Sequence, residues 1–412
     1  MAPISEGSLL WQPTETIKSN TQLARYMRWL GENRDLHFDD YPALWQWSVT
    51  QTPEFWQSLW EYFQVKASAA PTAVLAKKSM PGAQWFPGAR LNYAENFFAR
   101  QWHGRPAIYY KAENQPVQTM DWAEIERQTA VLAQALRDMG VQAGDRVVAY
   151  MPHIPETIIA VFAAASLGAV WSSCSPDFGS RSVLDRFQQI EPTVLIAVDG
   201  YTYGGKRFDR RQVVAELQAG LPTLKQTILV PLLNPDAGPL PHSILWGDLL
   251  AQTTPPAQME FAQVPFDHPL WVLYSSGTTG KPKPIVQGHG GILLEHLKMA
   301  ALHLDLGPGD RFFWYTSTGW MMWNFLVGGL LAGASIVVYN GSPGYPDMNG
   351  LWQLAHDTGL TYFGTSAAFV SACIKAGVTP NQDFDMSRIR AVGSTGSPLS
   401  VEQFEWIYRN IK

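Results

Sequence analysis

Short apolar runs alternate with amphipathic segments from about residue 106 onward. Residues 107–111 read as a strand, and the segment 121–139 places Ile125, Leu132 and Leu136 on one helical face before Gly140 ends it. The series continues with predicted strands at 146–151, 169–173, 193–198 and 226–231, and with predicted helices at 155–167, 182–190 and 211–219. Apolar strands separated by crossover helices indicate a parallel sheet that is buried on both faces.

A second series follows a segment rich in proline and polar residues. It has predicted strands at 270–275, 285–287, 311–315 and 335–339 and predicted helices at 291–304 and 322–332. We therefore predict an α/β fold of doubly wound, mostly parallel sheets. The predicted parts are an N-terminal helical cover (1–100), a first α/β subdomain (101–235), a linker (236–256) and a second α/β subdomain with a phosphate loop (257–412).

The first 65 residues are rich in tryptophan. A helix is predicted over residues 52–63, with Thr52 as its N-cap, Pro53 at the first helical position and Glu54 in the first turn. The six tryptophans of this region are Trp11, Trp29, Trp45, Trp47, Trp56 and Trp60. We interpret it as a helical cover that packs on the larger domain. Stacking on nucleic acid is the alternative, but no basic residues are interleaved with the aromatic ones.

Net charge and cysteine content limit which kind of partner and which cellular compartment are compatible with this chain. The net charge of −5 argues against a nucleic-acid partner, and two cysteines, Cys174 and Cys373, fit a reducing, cytoplasmic location. The N-terminus has no signal-peptide pattern. Residues 312–346 carry no Asp, Glu, Lys or Arg, but glycines and prolines interrupt them, which indicates a buried α/β core and no membrane span.

One segment carries the clearest chemistry: Tyr274-Ser-Ser-Gly-Thr-Thr-Gly-Lys-Pro-Lys283, between two predicted strands. Its glycines let backbone N–H groups approach an anion, its hydroxyls donate further hydrogen bonds, and a lysine neutralises charge. This predicts a phosphate cradle. It is not a Walker A loop, because only two residues separate Gly277 from Gly280 and Pro282 follows Lys281. An exposed Gly/Ser/Thr linker is the alternative.

This segment resembles the phosphate loop of the acyl-adenylate-forming superfamily, with Lys283 at the loop lysine and Pro284 where the family usually has glycine. The segment 85–96 resembles the N-terminal signature of the acetyl-CoA synthetase branch. The segments 170–179 and 183–187 are most similar to the acetoacetyl-CoA synthetases of that branch.

The resemblance implies an adenylate-forming N-terminal domain that activates acetoacetate with ATP and Mg²⁺ and transfers it to CoA. It assigns Ser275, Ser276, Gly277, Thr278, Thr279, Gly280 and Lys283 to the ATP phosphates, with Lys283 as the catalytic residue. It assigns Gly396, Ser397 and Pro398 to the adenine, and Trp320, Met321 and Thr395 to the acyl pocket. Lys206 and Arg207 are candidates for the CoA 3′-phosphate, with a solvated helix face as the alternative.

The resemblance covers the N-terminal part of such enzymes. The family's metal-binding glutamate, ribose-binding aspartate and C-terminal lysine have no counterpart among these residues, so we expect no metal ligand in this chain and no activity from it alone. Two other functions remain open: another short-chain acyl-CoA synthetase, for acetate or propionate, or an inactive nucleotide-binding module. His289 is interpreted as a packed residue at a helix start.

Overall fold

The computed structural model describes residues 7–100, 102, 104–256, 258–276 and 280–411. The helices are α1 (Glu15–Asn20), α2 (Gln22–Arg34), α3 (Tyr41–Thr50), α4 (Thr52–Tyr62), α5 (Tyr93–Phe98), α6 (Trp122–Asp138), α7 (Pro155–Ser166), α8 (Ser180–Phe187), α9 (Arg211–Gly220), α10 (Trp246–Gln252), α11 (His289–Leu297), α12 (Met321–Gly328), α13 (Gly350–Thr358), α14 (Ala367–Ala376), α15 (Pro380–Asp383) and α16 (Val401–Asn410). A π-helical turn (Lys298–His303) continues α11, and a 3₁₀ turn (Gly329–Ala332) continues α12.

The strands alternate with these helices through most of the chain. They are β1 (Ala67–Ala69), β2 (Leu75–Lys77), β3 (Gln84–Trp85), β4 (Arg90–Leu91), β5 (Pro106–Ala112), β6 (Gln118–Asp121), β7 (Arg146–Tyr150), β8 (Val170–Cys174), β9 (Val194–Val198), β10 (Gly200–Tyr203), β11 (Lys206–Asp209), β12 (Gln226–Val230), β13 (Ser243–Leu245), β14 (Val264–Pro265), β15 (Pro269–Ser275), β16 (Lys283–Gly288), β17 (Arg311–Trp314), β18 (Ser335–Asn340), β19 (Tyr362–Ser366) and β20 (Ala391–Thr395).

Two large sheets organise the molecule. The seven-stranded sheet has the order β13-β12-β9-β7-β8-β15-β16, and the six-stranded sheet has the order β20-β19-β17-β18-β5-β6. All pairings in them are parallel except those of the hairpins β15–β16 and β5–β6. The predicted α/β fold with mostly parallel sheets is confirmed.

Each sheet takes a hairpin from the other side of the predicted linker. The hairpin β5–β6 lies at one edge of the six-stranded sheet, where β5 pairs with β18, and β15 joins the seven-stranded sheet beside β8. The interval predicted as a linker is itself folded, because β13 pairs in parallel with β12 and Trp246 and Leu249 of α10 are buried. Periodicity identified the strands, but the choice of partner depends on packing between distant segments.

The N-terminal helices cover the larger core as the sequence predicts. Four of the six tryptophans pack against it: Trp29, Trp47, Trp56 and Trp60. The predicted N-cap of α4 is wrong. Gln51 precedes the helix without a side-chain cap, and the Thr52 hydroxyl donates to the carbonyl of Val49 instead (3.1 Å).

Asn92 joins the N-terminal part to helix α7 and to the segment before β14. Its buried side-chain Nδ2 donates to the carbonyls of Ala165 (2.8 Å) and Ala262 (2.9 Å), and its Oδ1 accepts from the N–H of Ala94 (2.9 Å). Within the described ranges, no helix is long and apolar enough to cross a membrane.

Candidate active site

The predicted phosphate loop lies at the tip of the hairpin β15–β16. The two strands pair up to Ser275 and Lys283, so these two side chains share one face of the hairpin. Ser275, Ser276, Gly280 and Lys283 are exposed, and the three residues Gly277, Thr278 and Thr279 lie outside the described residues. Gly280 has φ +122°, a conformation that L side chains rarely adopt, so the turn requires glycine. The described part of the loop therefore offers its polar groups to solvent.

A neighbouring segment holds the stem of this loop. The Tyr274 hydroxyl donates to the carbonyl of Arg186 in α8 (2.7 Å), and the Gln189 side chain donates to the carbonyl of Pro282 (3.0 Å). The Arg186 guanidinium lies 5.9 Å from the centre of the Tyr274 ring. Burial raises the pKa of Tyr274, which keeps its hydroxyl protonated for this bond. No sequence pattern indicates this contact, because 88 residues separate Tyr274 from Arg186.

The predicted adenine segment follows an edge strand. β20 ends at Thr395 beside Ser366 of β19, and Gly396 (φ +91°) then turns the chain away from the sheet. Gly396, Ser397 and Pro398 are exposed. The chain next enters α16, where Ser400 and Gln403 form a capping box. The segment thus lies at the carboxyl ends of parallel strands, where open α/β sheets bind ligands.

Two of the three predicted acyl-pocket residues, Met321 and Thr395, line one cavity of about 400 Å³, which we call the acyl cavity after that prediction. Met322 also lines it. The other lining residues are Gln287, Ile292, Glu295, His296, Met299, Leu304, Trp314, Asn324, Phe325 and Tyr362. Trp320 does not line this cavity. It is 57% exposed at the start of α12 and lines a neighbouring cavity.

Trp314 forms a wall of the acyl cavity by lying over two glycines. Its strand neighbour is Gly364 of β19, which in turn pairs with Gly393 of β20. A Cβ added at Gly364 would lie 2.3 Å from the indole, and one at Gly393 would lie 2.7 Å from it. A glycine inside a strand often marks such a close approach, so the sequence did carry a signal here.

His296 of α11 is a neutral wall residue. Burial lowers its pKa to about 3, and its Nδ1 lies 2.9 Å from the Tyr93 hydroxyl. The absence of a side chain at Gly328 makes room for it, since a Cβ there would lie 2.4 Å from Nδ1. No sequence signal distinguished His296 from an ordinary residue of an amphipathic helix.

His289 is packed, as the sequence analysis interpreted it. It is the first residue of α11, is fully buried, and accepts a hydrogen bond from the N–H of Tyr93 (3.1 Å). Burial, with a smaller contribution from His268 nearby, lowers the pKa of His289 to about 3. It is therefore neutral near pH 7.

The second cavity, of about 500 Å³, lies beside the hairpin β10–β11. Tyr203 and Trp320 line it, and Lys206 pairs with Tyr203 across the hairpin. Lys206 and Arg207 are exposed on strand β11, so the alternative of a helix face does not hold. The Arg207 guanidinium donates to the carbonyl of Leu233 (2.8 Å).

The buried Glu113 carboxylate fixes the turn of this hairpin. It accepts hydrogen bonds from the backbone N–H groups of Gly204 (2.7 Å), Gly205 (2.8 Å) and Ser342 (2.6 Å). In the part of the chain that the structure describes, no group of three or more His, Cys, Asp and Glu side chains could hold a metal ion.

Comparison with known proteins identifies the family to which this chain belongs. The AMP-binding enzyme family matches residues 96–411, and the N-terminus of acetyl-coenzyme A synthetase matches residues 41–97. Because the first match covers most of the chain, the protein belongs to the AMP-binding enzyme family. The resemblance to adenylate-forming enzymes drawn from the loop motif is confirmed.

Within that family the chain is a homologue of acetoacetyl-CoA synthetases. It is 42% identical to acetoacetyl-coenzyme A synthetase of Rhizobium meliloti (strain 1021) over 98% of this chain, and 38% identical to acetoacetyl-CoA synthetase of Danio rerio over 99% of this chain. The solved structure of acetoacetyl-CoA synthetase from Streptomyces lividans matches with a TM-score of 0.93 and 52% identity over 98% of this chain. The chain spans 62% of the length of each.

Proposed function

We propose that the complete protein activates acetoacetate with ATP and transfers the acyl group to CoA, giving acetoacetyl-CoA, AMP and pyrophosphate. The observation that carries this proposal is that a cavity-lining residue and the predicted adenine segment are consecutive at the end of β20. Thr395 lines the acyl cavity, and the next three residues are the segment assigned to adenine. An acyl group in the cavity and a nucleotide beside it would be neighbours, as an acyl-adenylate requires. The relatives named above support acetoacetate as the acid.

The phosphate loop and the acyl cavity also share a strand. Lys283 begins β16, and Gln287 of the same strand lines the cavity. At about 3.3 Å per residue the two lie roughly 13 Å apart along the strand. This spacing supports a single bound acyl nucleotide, with its acyl end in the cavity and its phosphates toward the loop.

In the first half-reaction, the carboxylate oxygen attacks the α-phosphorus of ATP. A new P–O bond forms, the bond to the β-phosphate breaks, and pyrophosphate leaves with its electron pair. We assign charge neutralisation to Lys283 and hydrogen bonds to the hydroxyls of Ser275, Ser276, Thr278 and Thr279. Such catalysis is mainly positioning and electrostatic stabilisation. Mg²⁺ enters the site bound to the substrate ATP.

In the second half-reaction, the CoA thiolate attacks the acyl carbon and AMP leaves. We propose that CoA approaches through the cavity lined by Tyr203 and Trp320, with Lys206 near its 3′-phosphate. This is supported by the exposed ammonium of Lys206 and by its pairing with Tyr203. We assign Arg207 a smaller part of the contact with the 3′-phosphate, because its guanidinium already donates a hydrogen bond to the carbonyl of Leu233.

A cytoplasmic location fits the two buried, unpaired cysteines, Cys174 and Cys373.

The test is acid-dependent exchange of pyrophosphate into ATP by the complete protein. Acetoacetate should support exchange with a larger kcat/KM than acetate or propionate, and CoA should then yield the thioester. A large preference for acetate or propionate would assign the protein to another short-chain acyl-CoA synthetase. ATP binding without exchange for any of these acids would indicate an inactive nucleotide-binding module.

A further inference from the structure

Asn324 occupies an unusual position in helix α12. It is 2% exposed and lines the acyl cavity three residues after Met321. Residues three and four apart share one face of a helix, so Met321, Asn324 and Phe325 lie together on the cavity side. The side chain therefore belongs to the cavity wall and has almost no access to bulk solvent.

Both polar atoms of this side chain lack a partner. Within the described residues, neither Nδ2 nor Oδ1 of Asn324 has a hydrogen bond. Burying an amide without partners is costly, and buried polar groups in native proteins are almost always bonded. The unpaired groups of Asn324 therefore indicate a ligand that supplies the missing bond.

Other buried amides in the same chain show the contrast. Asn92 and Asn96 each bond several backbone groups, and Gln403 donates both to the carbonyl of Ala367 and to the Ser371 hydroxyl (2.7 Å each). These side chains tie segments of the fold together. The Asn324 side chain makes no such connection, so no hydrogen bond within the described residues accounts for burying an amide at this position.

The chemistry of the cavity limits what the ligand can be. No Lys or Arg is among the described lining residues, and the lining includes Glu295, so a second carboxylate on the acid is disfavoured. His296 is neutral near pH 7, since burial lowers its pKa to about 3. The remaining wall is largely apolar, with Met321 and Met322 beside Asn324. A neutral hydrogen-bond acceptor on a short carbon chain fits this environment.

We infer that Asn324 is a specificity-determining residue, whose Nδ2 donates a hydrogen bond to a neutral carbonyl oxygen on the third carbon of the bound acid. This inference rests on the proposed function and deepens it, because it assigns the recognition of a 3-keto acid to one side chain. A saturated acid of equal length fills the same space but leaves the amide unpaired. Sites built around such a bond discriminate strongly against the analogue that lacks it.

The test measures binding to the chain of residues 1–412. Two non-hydrolysable acyl-adenylate mimics serve as probes: acetoacetyl-sulfamoyladenosine and butyryl-sulfamoyladenosine, which differ at the third carbon of the acyl group. By calorimetry, the wild-type chain should bind the acetoacetyl probe at least about tenfold more tightly. In Asn324→Leu the ratio of the two Kd values should fall below about threefold.

Matched variants separate the possible outcomes. Asn349→Leu removes another asparagine whose side-chain oxygen is unpaired, but which lines a different cavity, so the wild-type ratio should persist there. If Asn324→Leu does not fold, Asn324→Ala replaces it, with the same loss of selectivity expected. An unchanged ratio in a folded Asn324 variant, or equal Kd values for both probes in the wild type, would overturn the inference.

Failure of the proposed function has a different signature. A complete protein that exchanges no pyrophosphate with acetoacetate contradicts the proposed function, whatever the ratio of the two Kd values. Exchange with acetoacetate that keeps its preference over butyrate in Asn324→Leu leaves the proposed function standing and removes the inference alone.

Discussion

The phosphate-loop hairpin and the acyl cavity are built in opposite ways. The loop is one run of ten residues at the tip of two paired strands, and Ser275, Ser276, Gly280, Lys281 and Lys283 are exposed. The acyl cavity takes its walls from residues that lie more than a hundred positions apart, from Gln287 to Thr395, and several of them are buried. A contiguous motif can be recognised in the sequence, whereas a cavity forms only after distant elements have packed together.

The difference in burial between the loop and the cavity wall predicts different effects of substitutions on function and on stability. Ser275, Ser276 and Lys283 of the loop are exposed, so their replacement should change nucleotide chemistry and leave the fold intact. Trp314, Asn324 and His296 of the cavity wall are buried, so replacing them should change stability and substrate choice together. Substitutions in the two regions test this difference.

The largest effect is expected from Trp314→Ala in the cavity wall. Trp314 is 5% exposed and fills the space above Gly364 and Gly393, so its removal leaves a cavity that the glycines cannot close. The free energy of unfolding should fall by about 3–5 kcal/mol. Denaturant unfolding measures this, with Trp320→Ala as the matched control. Because Trp320 is 57% exposed, its loss should cost under about 1 kcal/mol; equal losses would contradict the assignment.

Met321→Trp should close the acyl cavity to acetoacetate. The larger ring would occupy the space beside Thr395, so kcat/KM for acetoacetate in the complete protein should fall about 10–200-fold, with a smaller loss for acetate. Steady-state kinetics with both acids decides this. If both acids lose activity equally while the variant stays folded, Met321 does not line the acyl site.

Lys283→Ala should impair the reaction without unfolding the protein. A charge-assisted phosphate contact contributes over about 1.4 kcal/mol, so the KM for ATP should rise or kcat fall at least about tenfold. Lys281→Ala is the matched control, because Lys281 occupies the variable position of the motif and should change these constants less than about twofold. Unchanged adenylation kinetics in Lys283→Ala would remove the loop assignment.

Acid should destabilise the cavity wall through His296. Its pKa is about 3 when folded and about 6.5 when unfolded, so the unfolded chain binds the extra proton below pH 6.5. Stability from this residue is therefore present near pH 7 and is lost as the pH falls from about 6.5 toward 3. Between pH 6 and 5 the wild type should lose about 1.2 kcal/mol more than His296→Gln. Unfolding curves at the two pH values measure the difference, and parallel losses would refute it.

Much of the local structure followed from the sequence. The strand at 146–151 and the helix at 121–139 appear within one residue of their predicted ends, as Arg146–Tyr150 and Trp122–Asp138. The capping box of α16 joins Ser400 and Gln403, which lie three positions apart, so it too is a property of neighbouring residues. Thr52 failed as an N-cap because the end of the preceding helix engaged its hydroxyl, a contact that no pattern within α4 reveals.

The sequence alone determined the α/β class and the family, and it predicts the position of the phosphate loop, because periodicity and a contiguous motif are properties of neighbouring residues. The tertiary structure decided which strands meet, so that β5–β6 joins the six-stranded sheet and β15–β16 the seven-stranded one. It also decided that Asn324 and Trp314 face one cavity with Thr395 while Trp320 faces another. Such groupings depend on side-chain packing between distant segments, and that packing is a property of the folded chain as a whole.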